Sequence, residues 1–187
     1  EGQEFYKFEL QIIQTIIKHG EKTMFKYTDE AGQEIPVTVI EYINNELNID
    51  NLSFHNPMHQ AILAEAVEHV HKENFIAQQY FIKHPNIEIG RIAADLASNR
   101  YELSKYHSKS QKIATDEERL HEFVPMYIAN FKSALIREEL VHIARKLQDP
   151  AVMNDPEQCK SIMLRYKELH EILQMLVKIE GDRIILK

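Results

Sequence analysis

Glycine and proline are scarce in this chain, which has five glycines and six prolines among 187 residues. Their combined share is about half of that in an average soluble protein. Because tight turns depend on these two residues, the chain has too few of them for a β-sandwich or a loop-rich scaffold. Hydrophobic residues make up 44% of the sequence, which is enough for a globular core. The composition therefore predicts a mostly helical protein.

Apolar residues at spacings of three and four predict the helices of the first part of the chain. These helices cover residues 3–19, 38–48, 57–71, 75–83 and 87–98. The segments 23–28 and 33–39 are instead rich in β-branched and aromatic residues, and the turn residues between them predict a small β-hairpin at about 23–39. We expect Gly20 to end the first helix, because glycine suits the left-handed position after a helix.

The second part of the chain predicts a helical hairpin. A capping-box sequence at residues 115–118 begins a long helix that reaches Gln148, and its apolar stripe changes sides near Leu135. A last helix runs from about residue 155 to Glu180, where Gly181 is expected to end it. Its heptad seam comprises Cys159, Ile162, Tyr166, Leu169, Leu173 and Leu176. The short connection between the two helices predicts an antiparallel pair, and a single core that buries the long helix on both sides is the alternative.

The predicted fold is therefore all-α and has two parts. Residues 1–118 form a compact helical subdomain with a small β-hairpin insertion, and residues 119–187 form the long helix and a C-terminal antiparallel helical hairpin. The net charge is −7, but residues 1–118 carry 11 basic and 19 acidic residues, whereas residues 119–187 carry 11 and 10. We expect no direct nucleic-acid binding, because an acidic protein is not attracted to the negatively charged phosphate backbone of DNA or RNA. No apolar run approaches the roughly 18 residues of a membrane span.

The sequence contains no recognisable catalytic or metal-binding motif. Its single cysteine excludes a disulfide framework and a cysteine-based zinc finger. Ten histidines are enough to suggest a metal site. His55 and His59 have the i, i+4 spacing of such a site, but Pro57 lies between them and the carboxylate of an HExxH motif is absent. We expect the carboxylates on solvated helix faces and Cys159 buried in the seam. These features predict a chain with no catalytic residue, metal or cofactor, and a His-rich helical metal-dependent hydrolase is the alternative.

The last helix has more apolar surface than two helices can bury. Met163, His170 and Val177 form a second line at spacing seven beside the heptad seam. This face either packs on the first subdomain or is a docking surface for another protein. The predicted partner-binding residues lie on the last helix, at its tip and in the tail, and are Val152, Met153, Met163, Lys167, His170, Gln174, Val177 and Ile185.

Four segments, together with the helical layout that follows them, carry a resemblance to a known family. They are FELQIIQTIIKHG (8–20), VIEYINNEL (39–47), FHNPMHQAILAE (54–65) and FIKHPNIEIGRIAADLASNRYELSKYHSK (81–109). These segments resemble the C-terminal helicase-binding domain of bacterial DNA primase (DnaG) in its Bacteroidetes-like form. The β-hairpin at about 23–39 departs from that family pattern.

The resemblance implies a non-catalytic, cytoplasmic domain whose helical hairpin docks on the N-terminal domains of the hexameric replicative helicase (DnaB). The parent enzyme, a DNA-directed RNA polymerase, would hold its zinc and magnesium in upstream domains, and this domain would recruit it to the replication fork. A helical adaptor with another partner, such as the acidic tail of a single-strand binding protein, is the remaining alternative.

Overall fold

The computed structural model describes residues 4–98 and 119–182. Within these ranges the chain forms eight helices and one two-stranded antiparallel sheet, which confirms the predicted all-α fold with a small β-hairpin. The helices are α1 (Glu4–His19), α2 (Val39–Ile49), α3 (Pro57–His69), α4 (Ala77–Ile82), α5 (Ile87–Ala97), α6 (Leu120–Lys146), α7 (Pro150–Met153) and α8 (Pro156–Asp182). The strands are β1 (Thr23–Thr28) and β2 (Glu34–Thr38). The predicted start of the long helix at residue 115 lies outside the described residues.

The chain divides into two compact units. The N-terminal unit covers Glu9–Pro125, and the hairpin unit contains Met126–Lys187 together with Glu1–Phe8. The sequence predicts the boundary between the two parts after residue 118, which is not among the described residues. The boundary between the units falls inside α6, next to Pro125. Proline has no backbone N–H and removes one hydrogen bond of the helix, so the division coincides with a weak point of α6.

Polar side chains cap the starts of three helices of the N-terminal unit, α2, α3 and α5. Thr38 and Glu41 form a capping box at α2, in which the Thr38 amide donates to Glu41 Oε2 at 2.8 Å and the Glu41 amide donates to Thr38 Oγ1 at 3.3 Å. Asn56 and Asn86 accept from backbone amides at the starts of α3 and α5. These signals are local in the sequence, and the predicted helix starts therefore agree with the structure to about two residues.

Gly20 follows α1 as predicted, but for a different reason. Gly32 has a positive φ of 80°, whereas Gly20 does not. A Cβ atom on Gly20 would collide with the Ile16 carbonyl oxygen and would lie 2.7 Å from Ile40 Cδ1. The close approach of Gly20 to the last turn of α1 and to α2, and not a left-handed conformation, therefore requires glycine at this position.

The core of the N-terminal unit lies between its helices. Gln14 Nε2 donates to the Leu96 carbonyl at 3.0 Å and joins α1 to the end of α5. The largest buried core side chains are Ile12, Ile13, Ile16, Ile17, Ile40, Ile43, Leu47, Phe54, Ile62 and Phe81. The β-hairpin lies on the surface, where Phe25 packs edge-on against Tyr42 of α2 at a centroid distance of 5.9 Å. Of the helices that the structure describes, none is long and apolar enough to cross a bilayer.

Candidate partner-binding site

The hairpin unit is built on contacts between α6 and α8. Leu140, Ile143 and Leu169 form its buried cluster, and four half-buried residues, Ile136, Leu147, Ile162 and Leu173, pack against it. Arg165 on α8 donates two hydrogen bonds to the Glu139 carboxylate on α6, at 2.9 and 3.3 Å. These hydrogen bonds raise the pKa of Arg165 above its usual value. The bidentate pair fixes the register of the two helices.

An open apolar groove of about 720 Å³ runs along α7 and the first three turns of α8. Its lining residues are Met153, Pro156, Cys159, Lys160, Met163, Leu164, Tyr166 and Lys167. At 100° per residue, the lining residues of α8 form one helix face centred about 110° from the Ile162 seam position. The side chains of Met153, Met163 and Leu164 are 64%, 58% and 54% exposed. The groove is therefore formed by side chains that the hairpin core cannot reach.

Most of the predicted partner-binding residues lie on this exposed side of the hairpin unit. Met153, Met163 and Lys167 line the groove. Gln174 and Val177 are exposed farther along the same face of α8, and the half-buried His170 contacts the Tyr166 ring at a centroid distance of 4.6 Å. Ile185 lies outside the described residues. The structure thus places six of the eight predicted residues along one continuous face.

Val152 was predicted to be exposed, and this prediction is wrong. The connection between α6 and α8 is not a bare loop but contains α7, which begins at an N-cap in which Asp149 Oδ1 accepts from the Ala151 amide at 2.9 Å. This turn of helix buries Val152, which is 9% exposed, and leaves its neighbour Met153 on the surface. Adjacent residues on a helix point about 100° apart, so Val152 faces the interior of the hairpin unit while Met153 faces solvent.

The heptad pattern overestimated the hairpin core. Cys159 is only half-buried and lines the groove, and Tyr166 is 36% exposed, so neither is the buried seam residue that the spacing predicted. The core contains Leu169 with Ile162 and Leu173 beside it. Cys159 and Tyr166 lie about 40° to 60° from the seam line, at the edge that α6 leaves uncovered. The last helix continues to Asp182, two residues beyond its predicted end at Glu180.

Two lysines give the groove a positive rim. Lys160 and Lys167 line it, and no acidic residue is among the groove residues. Lys167 lies 3.9 Å from Glu171, with both side chains more than half exposed, so water screens this pair strongly. Lys160 was not among the predicted residues, although its spacing of seven from Lys167 is a signal that could have identified it.

The N-terminal unit contains a buried carboxylate that the sequence analysis did not expect. Glu9 is fully buried, and its oxygens accept from the His55 amide at 2.9 Å, the Asn56 amide at 3.1 Å and His59 Nδ1 at 2.7 Å. Burial raises the pKa of Glu9, but these hydrogen bonds together outweigh it, so the pKa lies below its usual value. The expectation that carboxylates lie on solvated faces is wrong here, because Glu9 is in register with Ile12, Ile13 and Ile16 on the apolar face of α1.

The hydrogen bonds around Glu9 have a structural role, because they link two helices of the N-terminal unit. It joins α1 to the first turn of α3, where the helix presents unpaired amides that favour a negative charge. His59 is buried and directs Nδ1 at the carboxylate. Across residues 4–98 and 119–182, no group of three histidine, cysteine or carboxylate side chains is placed to hold a metal ion.

A second carboxylate, Glu65, organises the far side of α3. Its Oε2 accepts from Tyr80 Oη at 3.0 Å and lies 2.8 Å from His84 Nε2. Burial and the neighbouring carboxylate raise the pKa of Tyr80. The ring of His69 lies beside that of Tyr80 at a centroid distance of 4.7 Å. These contacts tie α3 to α4 and to the turn before α5, and we assign them a structural role.

Comparison with known proteins gives one match. No curated protein and no solved structure matches the chain significantly. The family model described as Domain of unknown function (DUF8430) matches residues 1–184, which is nearly the whole chain. The protein therefore belongs to the DUF8430 family.

Proposed function

We propose that this chain is a non-catalytic recruitment domain of a bacterial DNA primase. In this proposal the hairpin unit docks on the N-terminal domains of the hexameric replicative helicase and brings the primer-synthesising enzyme to the replication fork. The active site of that parent enzyme, with its zinc and magnesium, would lie in upstream domains, and the whole would work in the bacterial cytoplasm. The partner is suggested by the resemblance of residues 8–109 and of the helical layout to the primase family.

The observation that carries the proposal is the apolar groove on α7 and α8. A surface helix normally keeps charged and polar residues on its outer side, yet this groove presents two methionines and a leucine that are each more than half exposed. Contiguous exposed apolar surface of this kind marks sites of protein association. Methionine side chains are flexible and adapt to the surface of a partner. The hairpin unit is therefore better suited to binding a protein than to binding a small polar ligand.

The docking test is a calorimetric titration of the purified domain with the cognate helicase hexamer. Met163→Asp combined with Val177→Asp places two charges on the proposed face. Burying each of these apolar side chains contributes roughly 1.5–3 kcal/mol, so we expect the double variant to bind at least about tenfold more weakly. Its fold should survive, because both side chains are exposed and Leu169, Ile162 and Leu173 are unchanged.

A matched control carries the same two charges outside the proposed face. Ile87→Asp with Val141→Asp changes residues that are 87% and 52% exposed and do not line the groove, so we expect wild-type affinity. Equal binding by both double variants, or equal loss in both, would contradict the assignment to this face. If the wild-type domain does not bind the helicase, the proposed function itself is wrong.

A further inference from the structure

The rim of the groove restricts what kind of segment can occupy it. Lys160 and Lys167 are seven residues apart on α8. At 1.5 Å per residue their Cα atoms are about 10 Å apart along the helix axis. Seven residues make almost two complete turns, so the two lysines lie on one line along the helix, and this line runs between the directions of the exposed Met163 and Leu164. The groove thus combines an apolar floor with two positive charges at a fixed spacing.

The local charge of the groove is opposite to that of the whole chain. The chain carries a net charge of −7, but the groove is lined by two lysines and no acidic side chain. An acidic segment is therefore attracted by the two lysines of the groove, although the chain as a whole is acidic. Charges of this kind act mainly on specificity and on the rate of association. A basic or uncharged segment gains nothing from the lysines.

The shape of the groove favours a helix as the occupant. The lining residues of α8 run from Pro156 to Lys167, a length of about 16 Å or three helical turns. They form a single helix face about 110° from the face that meets α6, so a helix packed on this face does not displace α6. Such a helix would bury Met163 and Leu164 in the way that a groove buries the anchors of an amphipathic peptide.

We propose that the groove binds an amphipathic helix whose apolar stripe is flanked by two acidic residues about two turns apart. The proposal rests on the proposed function, because we assign this helix to the N-terminal domain of the helicase. It adds the chemistry of the contact: apolar side chains enter between Met153 and Met163, while the two carboxylates face Lys160 and Lys167.

The test uses charge reversal in the full chain. Lys160→Glu with Lys167→Glu should weaken binding to the helicase hexamer by more than about tenfold, because two attractions become repulsions. Lys160→Gln with Lys167→Gln should weaken it less and should also flatten the dependence of affinity on salt concentration, since exposed ion pairs are screened. A matched control, Arg137→Glu with Lys146→Glu, reverses two exposed charges of α6 that do not line the groove, and should keep the affinity of the wild type within a fewfold.

The single cysteine reports directly on occupancy of the groove. Cys159 is the one cysteine of the chain, is half-buried and lies in the groove lining. Its rate of modification by a thiol reagent should therefore fall when the helicase is added. If the helicase binds but leaves Cys159 unprotected, or binds the charge-reversed variant as well as the wild type, the inference about the groove is overturned while the proposed function stands.

A second probe separates the two proposals when the helicase does not bind. It is a cross-linked helical peptide about three turns long, with leucines along one stripe and glutamates at positions i and i+7 beside it. The comparison peptide has lysines at those two positions. Protection of Cys159 by the glutamate peptide alone would support the chemistry of the groove and overturn only the assignment to the helicase. Equal protection by both peptides, or by neither, would overturn the groove inference.

Discussion

Replacing the buried Glu9 with alanine should destabilise the N-terminal unit more than most surface substitutions could. The carboxylate accepts three hydrogen bonds, from the His55 and Asn56 amides and from His59 Nδ1. An unsatisfied buried donor costs about 1–3 kcal/mol. The His55 side chain is 52% exposed, so water can reach the nearby amides, whereas the His59 side chain is only 1% exposed. With each amide counted at the lower end of this range and His59 over the whole range, the total should be about 3–5 kcal/mol.

The assay for Glu9→Ala is urea unfolding followed by far-ultraviolet circular dichroism, with hydrogen exchange to locate the loss. The amides of α1 and α3 should lose protection first, because Glu9 joins these two helices. Glu9→Gln keeps an oxygen acceptor and nearly the same volume, so it should cost less than Glu9→Ala. Glu73→Ala removes an exposed carboxylate of the same unit and should change the free energy of unfolding by less than about 0.5 kcal/mol. A cost below about 1 kcal/mol for Glu9→Ala would refute the reasoning.

The same network predicts a dependence on pH. Because hydrogen bonds hold the pKa of Glu9 below its ordinary value of 4.5, ionised Glu9 stabilises the folded state. This stabilisation is fully present above the pKa of the unfolded chain and is lost as the pH falls through the lower pKa of the folded state. The stability difference between wild type and Glu9→Gln should therefore be constant near pH 7 and shrink below about pH 4.5. A difference that grows on acidification would contradict the role of the carboxylate.

Two further predictions concern the hairpin unit and metal ions. Leu169→Ala removes the most buried of the described side chains of α8 from a small cluster and should cost about 2–4 kcal/mol. Hydrogen exchange should speed up in α8 and the second half of α6, and an equal effect in α1 to α5 would show that the two units do not open separately. Chelation with EDTA should leave the helical circular dichroism unchanged, since no three metal-binding side chains converge in the described part of the chain, and a cooperative loss of helix would favour the metal-dependent alternative.

Local signals in the sequence were sufficient for the helices and the β-hairpin. Caps such as Asn56 and Asn86 act on amides two residues away, so their effect does not depend on the rest of the fold. The same holds for Gly32, whose positive φ closes the turn between β1 and β2. The exposed face of α8 was also predictable, because a two-helix hairpin can cover only one stripe of a helix and Met163, His170 and Val177 lie outside it.

Tertiary contacts decided which apolar and charged positions are buried. In the sequence alone, Glu9 cannot be distinguished from a surface carboxylate. Its burial depends on the contact of α1 with His59, which is fifty residues away in the chain. Part of the requirement for Gly20 arises where Ile40 of α2 comes close, in addition to the Ile16 carbonyl of α1 itself. Cys159 and Tyr166 fit a heptad as well as Leu169 does. They point away from the centre of the seam, however, and lie at the edge that α6 leaves uncovered. Periodicity states which residues share a helix face, whereas the position of the neighbouring helix determines how much of that face is removed from water. This is why the sequence predicted an uncovered face on α8 but not the groove within it.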